Sequence, residues 1–155
     1  MVDDLALHRQ VCFALYSASR ETTAAYRGML DNLGVTYPQY LVLLVLWEQD
    51  GRGVREICTA LNLDTGTVSP LLKRLEGAGL IHRARLSTDE RRVRIELTPA
   101  GVALKTQAAE IPAQLAEASG LSADELTDLR DVLTRLSGAL HTSALHPTIS
   151  KDANS

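Results

Sequence analysis

The chain has 155 residues, of which 45% are hydrophobic and 23% are charged, an ordinary composition for a globular protein with one domain. Its strongest apolar run, LVLLVLW at 41–47, is far shorter than the ~20 residues of a membrane-spanning helix. The first residues lack the apolar segment of a secretion signal, and two cysteines favour reduced thiols over a disulfide framework. We therefore expect a cytoplasmic protein.

The net charge of −3 hides an uneven distribution along the chain. Residues 66–95 hold seven Lys and Arg against three Asp and Glu, a net charge of +4, so the remainder carries −7. A basic segment in an acidic chain indicates a local nucleic-acid footprint, although most such runs are simply solvated surface. The elements that carry these charges decide between the two interpretations.

The first predicted elements are two helices. Residues 4–30 show helical spacing with no interrupting proline and predict one long helix. Gly34 and Pro38 mark the break that follows it. Residues 40–49 form an almost wholly apolar helix, which we expect to be buried on all sides.

Two apolar stripes with i, i+3, i+4, i+7 spacing come next and predict a pair of short helices. The stripes are Val54, Ile57, Cys58 and Leu61, then Val68, Leu71, Leu72 and Leu75. With a tight turn at 62–64 between them, they describe a helix-turn-helix. The second helix leaves a polar surface suited to the major groove of DNA. Its predicted DNA contacts are Thr65, Thr67, Ser69, Pro70, Lys73 and Arg74.

A β-hairpin is predicted directly after the helix-turn-helix. Residues 81–86 and 93–98 both alternate between apolar and polar side chains, and a polar turn joins them. Asp89, Arg91 and Arg92 are expected at the tip of that turn. A hairpin in this place makes a winged helix, and a basic wing tip suits the narrow, negative minor groove. A solvent-exposed hairpin with a charged turn is the alternative.

The remaining segments predict accessory helices and a tail. Residues 99–118 predict one helix, and 121–140 predict another that opens with a capping box of Ser122 and Glu125. Their apolar faces, like that of the first helix, are not needed to complete the winged helix and are expected to pack against a second copy of the chain.

The predicted fold class is therefore mainly α with a small β-hairpin wing, a winged helix-turn-helix with N- and C-terminal dimerisation helices. Residues 36–98 form the DNA-binding domain, and 1–35 with 99–143 form the helical dimerisation region. Residues 144–155 are expected to be a disordered tail. A homodimer would match the two-fold symmetry of a palindromic operator in double-stranded DNA.

Two pairs of segments resemble a known family. LDTGTVSPLLKRLEGAGLIHR and DERRVRIELTPAG resemble the MarR family of bacterial transcription regulators, with Asp-x-Arg in the wing followed by L-T-x-x-G. QVCFALYSASRE and GVTYPQYLVLLVLWE resemble the organic hydroperoxide sensors within that family, the OhrR subgroup. The resemblance covers roughly residues 5–140 and implies a repressor that leaves DNA when its N-terminal cysteine is oxidised.

The resemblance identifies Cys12 as the redox sensor. Tyr16 lies one helical turn away on the same face, whereas Tyr26 is roughly 21 Å away along a straight helix. Tyr26 therefore could reach only the Cys12 of a partner chain. Phenol hydroxyls that donate to sulfur favour the thiolate, and the resemblance implies this role for Tyr16 and Tyr26, with Tyr37 in the same pocket.

The resemblance also implies the chemistry of the switch. An organic hydroperoxide would oxidise Cys12 to sulfenic acid, and a low-molecular-weight thiol would then form a mixed disulfide. No second cysteine lies in the C-terminal helices, and Cys58 is expected to be an inert core thiol.

Two other functions stay open at this point. A MarR-type repressor released by a non-covalent phenolic or aromatic ligand would share the fold, with Cys12 only lining a pocket. A peroxidase would share the reactive thiol but gives the winged helix no role. The four His are scattered without metal-ligand spacing, and no phosphate loop or paired catalytic carboxylates are seen. No cofactor, metal or enzymatic activity is therefore expected.

Overall fold

The computed structural model describes residues 4–86 and 89–145, and these form a mainly helical fold with a small antiparallel sheet. The predicted class, mainly α with a small β wing, is confirmed. The helices are α1 (Val11–Leu30), α2 (Tyr37–Glu48), α3 (Val54–Leu61), α4 (Thr65–Gly77), α5 (Pro99–Ala108), α6 (Ile111–Ser119) and α7 (Ala123–Leu145). The strands are β1 (Arg52–Gly53), β2 (Ile81–Leu86) and β3 (Asp89–Leu97).

The predicted helix-turn-helix is formed by α3 and α4. Asn62 ends α3 in the left-handed region (φ 53°), which a short polar side chain tolerates, and its N–H donates to the Cys58 and Thr59 carbonyls. Ile57 is fully buried, and the predicted stripe of α4 is buried throughout. Burial of the α4 stripe fixes which face of α4 is turned outward.

The wing is a three-stranded sheet in the order β1-β3-β2, and all its pairs are antiparallel. The ladder of β2 and β3 runs from Ile81 opposite Leu97 to Arg85 opposite Val93. Ile95, in the middle of β3, is completely buried and anchors the sheet on the core. Strand β1 was not predicted, because two residues are too short to show a sequence period.

The predicted position of the wing tip needs correction. β3 begins at Asp89, so Asp89, Arg91 and Arg92 belong to a strand rather than to the turn. The ladder is irregular here, since Arg85 pairs with Val93 but Leu86 pairs with Asp89. Backbone pairing in a bulged hairpin does not depend on alternating side-chain polarity, so the charged residues gave no strand signal. Residues 87–88 lie outside the described part of the chain.

The predicted N-terminal helix at 4–30 is shorter than expected. A 3-10 helix at Leu7–Arg9 comes first, and Gln10 has an extended backbone (φ −84°, ψ 111°) before α1 begins at Val11. The N–H groups of Arg9 and Gln10 donate to carbonyls three residues earlier, which completes the short helix on its own.

The single helix predicted over 99–118 is instead two, α5 and α6. In an uninterrupted helix, Pro112 would fail to donate to the Ala108 carbonyl and its ring would crowd that oxygen. The break at 109–110 moves Pro112 to the first turn of α6, where no N–H is required of it.

Helix α2 lies in the core, although it is not buried on all sides as expected. Six of its residues are buried, whereas Leu44 is 40% exposed and Trp47 is half-buried. Thr36 and Gln39 form a capping box at its start, with the Thr36 N–H donating to the Gln39 side chain at 2.9 Å. Helix α2 therefore has a fixed beginning and runs through the core.

Backbone contacts divide the chain into two compact units, one up to Pro112 and one from Ala113 onward. The first contains α1 together with the winged helix and every buried hydrophobic residue of the described part. In the second, α7 opens with the predicted capping box, since the Ser122 N–H donates to Glu125 at 2.8 Å and the Glu125 N–H to Ser122 at 3.2 Å.

Two further predictions concern the C-terminal tail and membrane-spanning helices. Helix α7 extends to Leu145, so the first two residues of the predicted disordered tail at 144–155 are helical, and 146–155 lie outside the described residues. No helix within the described ranges is both long and apolar enough to cross a lipid bilayer.

Candidate functional site

Helix α4 presents the polar surface that the sequence predicts for DNA recognition. Its buried stripe faces the core, and the predicted contact residues lie on the remaining surface. Ser69 is half-buried, and the exposed residues are Thr65, Thr67, Pro70, Lys73 and Arg74. This surface offers two hydroxyl groups near the start of the helix and two cations further along, which suits base edges and phosphates respectively.

Asp64 fixes the first turn of α4 as its N-cap. Its carboxylate accepts a hydrogen bond from the Thr67 N–H at 2.7 Å. The Thr67 side chain and N–H, followed by the Gly66 N–H, hold the pKa of Asp64 below its usual value. The charged cap satisfies N–H groups that the helix itself leaves unpaired, so the hydroxyl-bearing turn is held in place.

The wing carries the other predicted DNA contacts. The Arg92 side chain is exposed, while the side chains of Asp89 and Arg91 lie outside the described part of the structure. On β2, Arg83 lies 3.5 Å from the Glu76 carboxylate of α4. This ion pair joins the wing to the recognition helix.

The predicted sensor lies on an accessible surface of α1. Cys12 is exposed, and Tyr16, one turn later, is 63% exposed. The guanidinium carbon of Arg20 lies 5.7 Å from the centre of the Tyr16 ring. Val11 and Phe13, the residues before and after Cys12 in the sequence, are also exposed. In one chain, Cys12 thus lies on an open surface of α1.

Tyr26 and Tyr37 lie in a different place, a cluster of three tyrosines completed by Tyr40. The ring centres of Tyr26 and Tyr37 are 4.5 Å apart, and Tyr40 lies 5.9 Å from Tyr26 and 6.4 Å from Tyr37. Tyr40, which is only 2% exposed, is not predicted as a site residue from the sequence. Its spacing from Tyr37 within one helix was the available signal. We call these three residues the tyrosine cluster.

Burial raises the pKa of each phenol in the tyrosine cluster. It raises the pKa of Tyr26 to about 12, with further contributions from Tyr37 and Tyr40. Burial likewise raises the pKa of Tyr37. The pKa of Tyr40 is raised first by burial and then by its electrostatic interaction with Tyr37. Neutral phenols are hydrogen-bond donors, which is the property that the predicted thiolate-stabilising role requires.

Helix α1 is continuous from Val11 to Leu30 and keeps Cys12 and Tyr26 of one chain apart. Fourteen positions along it correspond to roughly 21 Å. The structure therefore brings Tyr26 and Tyr37 together. Cys12 and Tyr16 lie nearer the N-terminal end of α1. Contact between the two groups requires a second chain.

A cavity of about 520 Å³ lies beside the tyrosine cluster. It is formed by α1, α2, α4 and the segment between α1 and α2, and it combines two arginines and one aspartate with hydroxyl and apolar groups. The lining residues are Thr23, Arg27, Asp31, Val35, Thr36, Tyr37, Pro38, Leu71 and Arg74.

Comparisons with known proteins agree with this geometry. The family model described as transcriptional regulator SarA/Rot matches residues 25–108. The organic hydroperoxide resistance transcriptional regulator of Bacillus subtilis is 45% identical over 139 residues, which are 90% of this chain and 95% of that protein. The transcriptional regulator TtmR of Methylorubrum extorquens is 46% identical over 142 residues, 92% of this chain and 73% of that one.

Solved structures give the same result. Reduced AbfR of Staphylococcus epidermidis bound to DNA is 34% identical with a TM-score of 0.73, and the match covers 89% of this chain and 96% of that one. Identity at this level over nearly the whole chain, together with the winged helix, decides the family. The chain belongs to the MarR family of transcription regulators.

The second cysteine of this MarR regulator lies in the helix-turn-helix. Cys58 is half-buried and packs against the core, and its thiol lies 3.9 Å from the Thr65 hydroxyl of α4. Among the residues that the structure describes, no group of three or more His, Cys, Asp or Glu could hold a metal ion. The comparisons likewise give transcription regulators rather than enzymes.

Proposed function

We propose that this MarR regulator is a redox-sensing transcriptional repressor. As a homodimer it binds operator DNA, and it releases the DNA when an organic hydroperoxide oxidises Cys12. The observation that carries the proposal is the exposed pair of Cys12 and Tyr16 on α1. This pair occurs in a chain that is 45% identical to an organic hydroperoxide resistance regulator.

DNA binding is supported by the surface of α4 and by the charge of its surroundings. Residues 66–95 carry a net charge of +4 in a chain whose net charge is −3. In this proposal α4 enters the major groove, and β2 with β3 approaches the minor groove through Arg92, Arg91 and Asp89. AbfR and the MepR of Staphylococcus aureus, both similar to this chain, have been solved bound to DNA.

A homodimer is supported by the apolar surface outside the winged helix. Leu5, Leu7, Val11 and Phe13 are exposed near the N-terminus, and Leu129, Val132 and Leu140 are exposed on α7. A helix of 23 residues with such a stripe needs a packing partner. We assign that partner to a second copy, with 1–35 and 99–143 forming the dimer and 36–98 contacting DNA.

The dimer gives the tyrosine cluster its role. Tyr26 and Tyr37 of one chain would donate to the Cys12 sulfur of its partner. Tyr16 of the chain that carries this Cys12, one helical turn away, would contact the same sulfur. Hydrogen bonds to a charged acceptor are worth on the order of 1.5–3 kcal/mol each, enough to favour the thiolate strongly. The thiolate is the form that reacts with a peroxide.

The chemistry proceeds in two steps. The Cys12 thiolate attacks a peroxide oxygen, so that an S–O bond forms and the O–O bond breaks; the sulfur is oxidised to sulfenic acid, and the peroxide leaves as an alkoxide that takes a proton to become the alcohol. A low-molecular-weight thiol then forms an S–S bond with the sulfenic acid and water is released.

Added bulk at the dimer interface separates the tyrosines from the sulfur and shifts the two recognition helices out of register with successive major grooves.

The test is operator binding by fluorescence anisotropy, using a palindromic operator and reduced protein titrated with an organic hydroperoxide. Wild type should release the DNA, and Cys12→Ser should stay bound. Cys58→Ser is the matched control and should be released like wild type. If Cys12→Ser is released as readily as wild type, or wild type stays bound, Cys12 is not the sensor.

One observation favours a second candidate, a repressor released by a non-covalent ligand. The cavity of about 520 Å³ sets two arginines, Arg27 and Arg74, against one carboxylate, Asp31, and places Tyr37 beside them, a net positive lining suited to an aromatic carboxylate. Bordetella bronchiseptica BpsR, 25% identical with a TM-score of 0.74, is regulated in its DNA binding by 6-hydroxynicotinic acid. Titration of the same complex with aromatic carboxylates in place of peroxide separates the two functions, because only ligand release would survive Cys12→Ser.

A further inference from the structure

We propose that Trp47 is a positioning residue that couples the tyrosine cluster to the base of the wing. This inference rests on the proposed function and adds the route by which a change at Cys12 reaches the DNA-binding elements. The route runs along α2, whose first turn holds Tyr37 and Tyr40 and whose last turn holds Trp47.

The first link joins the tyrosine cluster to Trp47 through Tyr40. The Tyr40 ring lies 6.2 Å from the Trp47 ring in an edge-to-face arrangement at 68°. Tyr40 is 2% exposed and also contacts Tyr26 and Tyr37. A close-packed interior cannot absorb a displaced aromatic ring without moving its neighbours, so a shift of Tyr26 or Tyr37 reaches Trp47 through this contact.

The second link joins Trp47 to α5. The indole Nε1–H donates to the Gly101 carbonyl at 2.9 Å, across 54 positions of sequence. In the opposite direction, the Lys105 ammonium group donates to the Trp47 carbonyl at 3.3 Å. The last turn of α2 is thus tied twice to the first turns of α5.

The third link joins α5 to the turn between α4 and β2. A Cβ atom on Gly101 would lie 2.1 Å from the Leu80 carbonyl oxygen, so the two backbones are in direct contact. The Thr98 N–H donates to that same oxygen at 3.0 Å, and the Thr98 hydroxyl donates to the Gly79 carbonyl at 2.6 Å. Movement of the start of α5 therefore moves the segment that connects the recognition helix to the wing.

A parallel connection leads from the end of α2 to β3. Asp50, two residues beyond α2, accepts a hydrogen bond from the Leu97 N–H at 2.9 Å. Arg52 and Gly53 then pair with Ile95 and Arg94 as β1. Both ends of the wing hairpin thus rest on elements tied to the C-terminal end of α2.

Trp47 has room to change its position. A groove of about 330 Å³ lies beside the ring and is lined by Tyr40, Leu44, Trp47, Glu48, Lys105, Ala108, Ala109 and Pro112. In the proposed coupling, the indole shifts toward this groove when the tyrosine cluster is disturbed. Two discrete arrangements are what energetic coupling between distant sites requires.

The experiment compares the operator affinity of reduced and Cys12-oxidised protein in wild type, Trp47→Phe and Leu104→Val. Trp47→Phe keeps an aromatic ring but removes the Nε1–H donor. Leu104→Val is the matched control: it weakens packing in α5, where Leu104 is buried, and leaves the Trp47–Gly101 bond in place. We expect the ratio of oxidised to reduced Kd to shrink about five- to tenfold in Trp47→Phe only.

A second readout uses Trp47 as the only tryptophan of the chain. Its fluorescence in the free wild-type protein should change when Cys12 is oxidised and stay constant in Cys12→Ser. A merely structural role predicts no such change, and it predicts the same ratio of Kd values for Trp47→Phe as for Leu104→Val.

The outcomes separate the coupling from the proposed function. If peroxide releases wild type but Trp47→Phe keeps the full ratio, the coupling is wrong and the repressor function stands. If peroxide does not release wild type, the proposed function fails, and the fluorescence decides alone. A change that requires Cys12 then supports the link between Cys12 and Trp47, and unchanged fluorescence overturns it.

Discussion

Among single side chains, the Tyr26 phenol is strongly altered by the fold. Its pKa rises from 10.0 to about 12, first because of burial and then because of its neighbours Tyr37 and Tyr40. Unfolding returns the phenol to its ordinary pKa, so the folded state holds the proton more tightly. The stability from this group is fully present below pH 10.0 and is lost as the pH rises toward about 12.

We therefore expect Tyr26→Phe to lose less stability than wild type over that alkaline range, because phenylalanine has no proton to release. Urea denaturation at a series of pH values measures the free energy of unfolding. Tyr16→Phe is the matched control, since Tyr16 is 63% exposed, and it should show the wild-type alkaline loss. An identical pH dependence for Tyr26→Phe and wild type would contradict the assignment.

The residues of the site differ in how far the sequence alone predicts them. Cys12 and Tyr16 share a helix, so their spacing alone placed them on one face. Tyr26 and Tyr37 belong to different helices, so no local spacing groups them. Only the family resemblance predicted that they lie together. Tyr40 lies three positions from Tyr37 in the same helix, but a buried tyrosine in an apolar helix has the same pattern as any core residue, so this spacing did not identify it.

At the scale of elements, Gly101 is the point where α5 meets the turn before β2. An added Cβ would lie 2.1 Å from the Leu80 oxygen and 3.1 Å from its carbon, so backbone would have to move. We expect Gly101→Ala to cost about 1–3 kcal/mol of unfolding free energy and to weaken operator binding, because the wing base shifts.

Gly138→Ala in α7 is the matched control, with nothing within 4 Å of the added atom. It should stabilise the protein by about 0.5–1 kcal/mol, as alanine does in a helix interior. Thermal or urea denaturation of both variants measures the difference. Equal effects of the two substitutions would show that Gly101 is not a point of close backbone contact.

Elements were predictable where their signal is local. The stripes of α3 and α4 and the capping box of α7 depend on residues within one or two turns, and all three are confirmed. Strand β1 and the start of β3 at Asp89 depend on pairing between distant segments, which no local period records. Pro112 was a signal for the break between α5 and α6. The residues on both sides of the break have helix-forming composition, so the sequence suggested one continuous helix.

At the scale of the whole molecule, the apolar stripe of α7 predicts a dimer. Leu129 and Leu140 are 45% and 59% exposed and lie on one face of the helix. A second copy would bury them, and stable dimers typically bury roughly 800 Å² on each partner. We expect Leu129→Glu to shift the protein toward monomer in light scattering at micromolar concentration.

Thr134→Glu is the matched control for this variant. Thr134 is exposed on the opposite face of α7, and its hydroxyl donates to the Arg130 carbonyl at 2.8 Å within the same helix. It adds the same charge to the same helix and should remain dimeric. Monomer formation by both variants, or by neither, would place the dimer interface elsewhere.

The charge distribution favours one segment of the chain for contact with DNA. Residues 66–95 carry +4 and the rest of the chain −7, so the segment from the recognition helix to β3 is the basic part of the chain and is attracted to the phosphate backbone. Each phosphate contact releases counterions and steepens the dependence of the operator Kd on salt by about one unit of logarithmic slope. Lys73→Ala should therefore lower that slope by about one per protomer, because Lys73 is an exposed cation of α4.

Arg130→Ala, which removes a cation paired with Asp131 at 2.9 Å on α7, should leave the slope unchanged. Equal slopes for both variants would mean that α4 does not face the phosphates, and the assignment of the recognition helix would have to be abandoned.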